Sequence, residues 1–489
     1  MGDDMETFIS VLKWIVENIL LINILLAILL VFFERRNPTT TWLWVMILFF
    51  LPGIGFLIYL FLGQDMRKKK IFEIKKEEDK YFDELVANQE QNIVKNRFNY
   101  NDPKISAHED IIQFHLMSNS SIYTQDNEVE LYFSGVDKFN ALLNSINNAK
   151  EYIHMEYYII RSDNISTEIV NALVKKAKEG VEVKLLYDGM GGRSLPKNYF
   201  NDLIDAGGEV ACFFPPFLPY ISLRVNYRNH RKICIIDGVE GFVGGFNIGD
   251  EYIEYTDKFG YWRDTHCKIN GTAVAGLQWR FLLDWRFASK KEIEVSKRYF
   301  PEVKGKGETG IQIVSSGPDS KWTSIKDGYL KMIINAREKV YIQTPYFIPD
   351  DSILEALKVA GLSGVDVKVL IPDKPDHPFV YWASLSYIGE LLEAGVQFYT
   401  YQDGFMHSKV VVMDDMVSSV GTANLDIRSF KLNFEVNAFI YDKKVNSEIT
   451  KQILKDLERC VEITSDGYGK RSLLVKFKES ISRLLSPIL

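Results

Sequence analysis

One pattern, written twice, limits this chain more than any other feature. His230, Lys232 and Asp237 stand as H-x-K-x4-D, with Gly244 seven residues on and then Asn247. His407, Lys409, Asp414, Gly421 and Asn424 repeat those offsets. Five fixed positions match by chance roughly once in three million starts at average residue usage. The chain has 7 histidines, and two of them occupy these places. The flanking sequence is duplicated as well. Residues 149–159 resemble residues 336–348, and each copy runs through a helical stretch (166–179, 352–362) into an apolar strand (181–187, 365–371). Strand, helix and strand in that order predict a right-handed parallel unit. Two such units predict an α/β body of two lobes.

Strand geometry says what the motif can do. Side chains two apart share a face. Arg224, Asn226, Arg228, His230 and Lys232 then form one strip of anion-binding groups, for which a solvated charged face is the plain alternative. Asp237-Gly238 signals a hairpin turn. Pairing Asp237 with Glu240, and Asp414 with Val417, sets Asn247 opposite His230 and Asn424 opposite His407. The candidate catalytic residues are His230, Lys232, Asp237, His407, Lys409 and Asp414. Asn247, Asn424 and Arg228 are candidate phosphate-binding groups. Within the first set, Asp237 and Asp414 lie an odd number of residues from their histidines, so they should face away and hold structure. A histidine can attack phosphorus, but a second group must protonate the leaving alcohol. Two motifs supply both, with Lys and Asn to hold phosphoryl oxygens. Because these cations are already present, the chemistry requires no metal or other cofactor. There is also no Gly-rich nucleotide loop. Each histidine needs a carboxylate to fix its tautomer. Asp264, downstream of His230, and Glu435, downstream of His407, are candidates on spacing, although an ordinary surface acid fits either place equally.

The two ends read differently from the body. Residues 42–62 carry no charge over 21 positions, enough to cross about 30 Å of hydrocarbon. Residues 14–33 form an earlier run, interrupted by Glu17, Asn18 and Asn23. Together they predict a membrane hairpin within residues 1–66. The acidic start (Asp3, Asp4, Glu6) and the lack of a small-residue cleavage site argue against a cleaved leader. The length of the second run argues against a buried core helix. Arg67, Lys68, Lys69, Lys70, Lys75 and Lys76 outnumber Arg35 and Arg36 of the intervening loop, so the chain beyond residue 62 should face the cytoplasm. Residues 67–118 read as a charged helical linker in which His108 and His115 are surface or packing residues. The lobes are expected at 119–305 and 306–472. Residues 473–489 alternate apolar and basic residues. They predict an amphipathic helix that either lies on a membrane surface or docks on the body. A net charge of −7 disfavours nucleic acid as a partner. Cys212, Cys234, Cys267 and Cys460 contain no C-x-x-C pair, which speaks against a zinc ribbon or a disulfide framework.

The paired motifs resemble those of the phospholipase D superfamily and, within it, the bacterial cardiolipin synthases. The likeness extends through Asn226-Tyr227-Arg228-Asn229-His230-Arg231-Lys232 and Gly244-Gly245-Phe246-Asn247-Ile248-Gly249-Asp250-Glu251-Tyr252. It continues in Thr344-Pro345-Tyr346-Phe347-Ile348-Pro349, in Glu34-Arg35-Arg36-Asn37-Pro38 with Thr41-Trp42, and in the end Ser486-Pro487-Ile488-Leu489. It covers nearly the whole chain. The resemblance implies two phospholipase D-like lobes related by a pseudo-twofold axis, behind a transmembrane hairpin in the bacterial plasma membrane. It implies transfer of a phosphatidyl group from one phosphatidylglycerol to another, giving cardiolipin and glycerol through a phosphatidyl-histidine. His230 would be the nucleophile and His407 the acid, then the base. The superfamily's downstream carboxylate behind each histidine adds weight to Asp264 and Glu435. The implied partners are phosphatidylglycerol and anionic membrane lipid, with no cofactor and no nucleic acid. Nothing in the sequence signals an oligomeric state. Gly245 stands where the second copy has Thr422, so a hydroxyl able to touch phosphate is missing from one lobe. A hydrolytic phospholipase D and a non-catalytic membrane scaffold are the competing readings.

Overall fold

The computed structural model describes residues 97–215, 227–253, 259–291, 296–303, 305–374 and 376–486, helices Pro38–Phe50 and Lys80–Val94, and scattered residues between 10 and 59. The chain forms two compact units: residues 1–68 with 217–226, and the remainder.

In the first unit, helix Pro38–Phe50 carries the start of the long apolar run. The helix expected over about 42–62, a run that Pro52, Gly53 and Gly55 interrupt, is broken at Pro52 and Gly53. Pro52 lacks a backbone donor and Gly53 adopts φ +78°, so the helix gives way to a turn at 51–53. Asn23 Nδ2 donates to the Leu48 carbonyl at 3.2 Å, and Trp44 meets Tyr59 edge-on at 5.3 Å. The polar Asn23 of the first run is thus satisfied against the second. Among the described residues no helix is long and apolar enough to cross a membrane. Most of residues 14–33, and the basic cluster at 67–76, lie outside the described residues.

The second unit holds both lobes. In the first, β1 (Thr124–Tyr132), β2 (Tyr152–Tyr157), β3 (Glu182–Asp188), β4 (Glu209–Phe213), β5 (Arg228–Asn229), β6 (Lys232–Ile236), β7 (Glu240–Gly244), β8 (Tyr261–Arg263) and β9 (His266–Asn270) succeed one another in chain order. In the second come β10 (Thr309–Ser316), β11 (Lys339–Gln343), β12 (Phe347–Ile348), β13 (Asp366–Pro372), β14 (Gln397–Tyr401), β15 (Gly404–Met406), β16 (Val410–Met413), β17 (Val417–Gly421), β18 (Leu425–Asp426), β19 (Asn433–Tyr441) and β20 (Cys460–Glu462). The main sheet runs β4-β3-β2-β6-β7-β9-β1 and then β10-β19-β17-β16-β11-β13-β14-β20. The order on one side of the β1–β10 seam mirrors the order on the other. Because β1 and β10 pair antiparallel, the repeat reads as two halves of one pseudo-symmetric sheet.

Local sequence explains the units. β2 and β3 pair parallel across helix Asn164–Lys178, as do β11 and β13 across helix Asp351–Leu362. Asp163 caps the first helix through Ser166 N, and Asp350 caps the second through Ile353 N. Ile165, Ile169, Val170 and Leu173 form the buried stripe of the first helix. Strands such as β6, antiparallel to both β2 and β7, are buried throughout, as strands of a mixed sheet covered on both faces are. One part of the expected linker belongs to the core. Helix Glu109–Asn119 buries Ile111, Ile112 and Leu116 against the second lobe's Tyr329 and Met332, and His115 packs on Phe439 at 4.2 Å. All four cysteines are free thiols.

Candidate active site

The motif hairpins are one residue out of the expected register. Ile236 pairs with Glu240 and Ile233 with Val243; Met413 pairs with Val417 and Val410 with Val420. The reason is the turn, which takes three residues. Asp237 and Gly238 both have positive φ (54° and 67°), and so do Asp414 and Asp415 (53° and 55°). Three-residue loops with a left-handed residue are a standard hairpin connection. The strained Asp conformation is over-determined by hydrogen bonds. Asp237 accepts from the backbone N–H groups of Lys150, Glu151 and Tyr152 at 2.8–2.9 Å. Asp414 does the same for Arg337, Glu338 and Lys339. Both carboxylates anchor the far end of the hairpin.

The expected unbroken strip also divides. Extended structure stops after β5 and resumes at β6, leaving His230 and Arg231 at the break. β5 does not pair with its own hairpin. It pairs parallel with the start of β19 in the other lobe. The second copy shows the mirror arrangement, with β15 parallel to β8 of the first lobe. The backbone N–H of His230 donates to the Phe434 carbonyl at 2.9 Å, and that of His407 to the Arg263 carbonyl at 2.8 Å. Each histidine is therefore held by the opposite lobe.

This exchange decides the carboxylates. Chain order associates Asp264 with His230 and Glu435 with His407; the structure crosses them. His407 Nδ1 lies 2.6 Å from Asp264 Oδ2. His230 Nδ1 lies 3.2 Å from Glu435 Oε1, with Asn433 Nδ2 also at 3.2 Å. Both carboxylates are fully buried. The physical reason lies in the strand exchange: β8 delivers Asp264 beneath β15, and β19 delivers Glu435 beneath β5. Asp264 accepts from Nδ1 of His407 and Glu435 lies beside Nδ1 of His230; a proton held on Nδ1 by such a carboxylate leaves Nε2 for chemistry.

The rings sit in an electrostatically shared environment. Burial lowers the pKa of both His230 and His407 to about 4. Among the charges acting on His407 is Lys232 of the other motif, and among those on His230 is Arg428 of the other lobe. Burial likewise lowers Lys232 to about 8 and Lys409 to about 7, each under the influence of both Asp264 and Glu435. Lys232 Nζ donates to the His230 carbonyl at 2.6 Å, and Lys409 Nζ donates to that of His407. Tyr158 covers His230 with ring centroids 4.2 Å apart, while Trp262 stands 5.0 Å from His407.

The remaining expected residues have partners of their own. Asn247 is buried, accepts from Ile159 N at 3.1 Å and donates to the Tyr252 hydroxyl at 3.3 Å. Asn424 is buried beside Asp426, whose carboxyl burial raises to about 6. Arg228 donates to the Tyr227 carbonyl at 2.9 Å and lies close enough to Arg428 to repel it. Arg224 and Asn226 lie outside the described residues. Thr422 spends its hydroxyl on Val436, accepting from its N–H at 2.9 Å. It is therefore not a phosphate ligand lost from the first lobe. Gly245 has its own reason: a Cβ there would run into the Asp264 carboxylate. Sequence reasoning missed Arg231, which is fully buried, binds Asp284 at 2.6 Å and donates to the Glu435 carbonyl at 3.2 Å. It also missed Tyr158, Trp262 and the Thr265–Ser408 bond at 2.9 Å. The only signal was parity: Arg231 lies opposite the His230–Lys232 strip, among Val225, Tyr227 and Ile233, where an apolar residue fits.

Comparison with known proteins gives the family. The family model "Cardiolipin synthase, PLD-like domain" matches residues 142–259 and 329–458, one stretch in each lobe, and "Phospholipase_D-nuclease N-terminal" matches residues 21–64. A cardiolipin synthase of Listeria monocytogenes is 50% identical over 481 residues, covering 98% of this chain and 100% of that protein. The chain belongs to the cardiolipin synthase family of phospholipase D-like proteins. The major cardiolipin synthase ClsA of Bacillus subtilis is 49% identical over 470 residues, covering 96% of this chain and 98% of that protein. A phosphatidylserine synthase structure from Haemophilus influenzae superposes with a TM-score of 0.60 at 16% identity, over 78% of this chain and 100% of that one. That likeness is one of fold. Membership of the family makes the chain a phosphatidyltransferase.

Proposed function

We propose that this chain condenses two phosphatidylglycerol molecules into cardiolipin and free glycerol through a covalent phosphatidyl-histidine. The observation that carries the mechanism is the crossed pairing, which gives each motif histidine a buried carboxylate from the opposite lobe. Neutral His230 attacks phosphorus through Nε2. The bond from phosphorus to the departing glycerol oxygen breaks, and His407 hands its proton to that oxygen. The glycerol hydroxyl of the second phosphatidylglycerol then attacks phosphorus, His407 takes up its proton, and the P–N bond breaks to free His230. Atoms and charges balance over the two steps, and microscopic reversibility gives His407 both roles. The shorter Nδ1–carboxylate contact belongs to His407, and such a contact stabilises the imidazolium that an acid/base residue must carry. His407 reaches that state once substrate is bound, because an anionic phosphodiester offsets the burial and the lysine charges that depress it.

Lys232, Lys409, Asn247 and Asn424 are assigned to the phosphoryl oxygens, and Arg228 to a flanking phosphate contact. Preorganised donors of this kind act on charge that develops in the transition state. The uncharged run at 42–62, the packing of Asn23 on Leu48 and the basic cluster at 67–76 support a multi-pass anchor in the plasma membrane with both lobes in the cytoplasm. The test is mass spectrometry of the purified protein incubated with phosphatidylglycerol vesicles. Cardiolipin and glycerol in equal amounts, with a phosphoramidate on His230, are expected. Phosphatidic acid as sole product would make the enzyme a hydrolase, and no product would favour a scaffold.

A further inference from the structure

The C-terminal helix is amphipathic, and it is turned the unexpected way. Helix Leu473–Leu484 docks on the body through its polar side. Glu479 and Ser482 are its buried residues, and Arg471 Nε meets Glu479 Oε1 at 3.0 Å. Arg483 bonds Glu390 at 3.1 Å and lies 4.5 Å over the Tyr387 ring; Lys478 lies 5.2 Å over Trp382. The apolar stripe points outward: Leu473 is 84% exposed, Phe477 63% and Leu484 75%, with Leu474 and Ile481 beside them. At 100° per residue these five fall on one face of about 100°. The helix on which it packs, Pro378–Ser386, adds exposed Phe379. Burying leucines against the body and exposing Glu479 would be the ordinary solution for a docking helix. This helix does the reverse, held by ion pairs and cation–ring contacts.

We propose that this face is a lipid-bilayer contact, which seats the catalytic body on anionic membrane. The charge around the stripe selects the occupant. Between residues 470 and 484 stand five cations (Lys470, Arg471, Lys476, Lys478, Arg483) and one carboxylate, in a chain whose net charge is −7. Lys476 and Lys478 flank the apolar stripe on its two sides, the arrangement that lets lysine stems lie on hydrocarbon while the ammonium groups meet phosphate headgroups. A protein partner of ordinary composition has no need of that excess, whereas a negatively charged leaflet attracts it. The surface also lies on the substrate side. Ser384 of the supporting helix accepts from the Phe347 backbone N–H at 3.2 Å, immediately after Tyr346, whose phenol lies within electrostatic reach of the Tyr158 that covers His230. A bilayer on this face would bring phospholipid headgroups toward the cleft between the lobes. The contact is separate from any anchoring by residues 1–66 and does not require turnover.

The test uses the full chain, reconstituted in vesicles of phosphatidylglycerol and phosphatidylcholine. Benzoylphenylalanine replaces Phe477 in one preparation and Leu484 in another. A third carries it at Val239, which is exposed in the turn at the far end of the first motif hairpin. After irradiation, phospholipid adducts at positions 477 and 484, with none at 239, are expected. Cross-links from 477 to a second copy of the chain would overturn the proposal in favour of a homotypic interface. Absence of adducts at 477 and 484 while residues 42–62 are shielded by lipid would overturn it outright. As a second reading, F477E combined with L484E should raise the apparent KM for vesicle phosphatidylglycerol about tenfold at unchanged kcat, the effect of losing partial burial of two apolar side chains. An unchanged KM would contradict the proposal.

Discussion

At the residue scale, the chemistry rests on two imidazoles with different supports. His230→Asn and His407→Asn should each lower cardiolipin formation by at least about 10³-fold, with membrane insertion unchanged; full turnover by either variant, measured on phosphatidylglycerol vesicles, would refute the two-histidine mechanism. Asp264→Asn separates the roles further. Because Asp264 contacts His407, this variant should lose acid/base catalysis by up to about 10⁴-fold, as expected for a misheld tautomer. It should still form the His230 adduct from a donor with a nitrophenol leaving group, which needs no proton. Glu435→Gln should show no such rescue. If the nitrophenyl donor rescued Glu435→Gln instead, the two histidines would have exchanged roles. The candidate residues themselves were legible because chemistry fixes residue type and spacing. The pairing of acid with base was not legible. Sequence order brings Asp264 close to His230, and only the exchange of β5 and β15 between lobes sends it to His407.

At the element scale, each hairpin works as a lever held at both ends. Its turn is tied by Asp237 or Asp414 to three backbone N–H groups. Its histidine end is tied to the opposite lobe. The parity rule correctly turned both aspartates away from the site. The register failed by one residue because Asp-Gly reads equally as a two- or a three-residue turn, and backbone angles at Asp237 decide between them. Similarly, the apolar period of residues 109–119 is too short to separate a packed helix from a charged linker, yet its isoleucines fill the second lobe. Gly245→Ala tests how closely the elements approach. The added methyl would displace Asp264, so kcat should fall by about 10²-fold, the cost of a misplacement near 1 Å, while the melting temperature stays near that of the parent. Arg231→Leu tests the buried pair beneath the exchange. It strands Asp284 with less charge compensation and should destabilise the protein by about 3–5 kcal/mol, read from denaturant unfolding in detergent.

At the scale of the whole molecule, the fold places several neutral imidazoles in its interior. Burial lowers His115 to about 3 and His230 and His407 to about 4, against about 6.5 in the unfolded chain. Between pH 6.5 and 4 the unfolded state therefore takes up protons that the folded state refuses, and stability rises with pH across that window. The melting temperature should fall from pH 7 to pH 5, and His115→Leu should flatten the slope; a slope unaffected by that substitution would contradict the neutral burial of His115. The mirrored strand order about the β1–β10 seam has a functional consequence. It supports the reading in which both motifs serve one site, with each lobe completing the other's histidine. That claim is tested most directly by determining the structure of the protein with vanadate. One vanadium atom is expected, with Nε2 of His230 and Nε2 of His407 on opposite sides and each within about 3.5 Å of it or of its ligand oxygens. Two vanadate ions bound apart, one at each histidine, would contradict it.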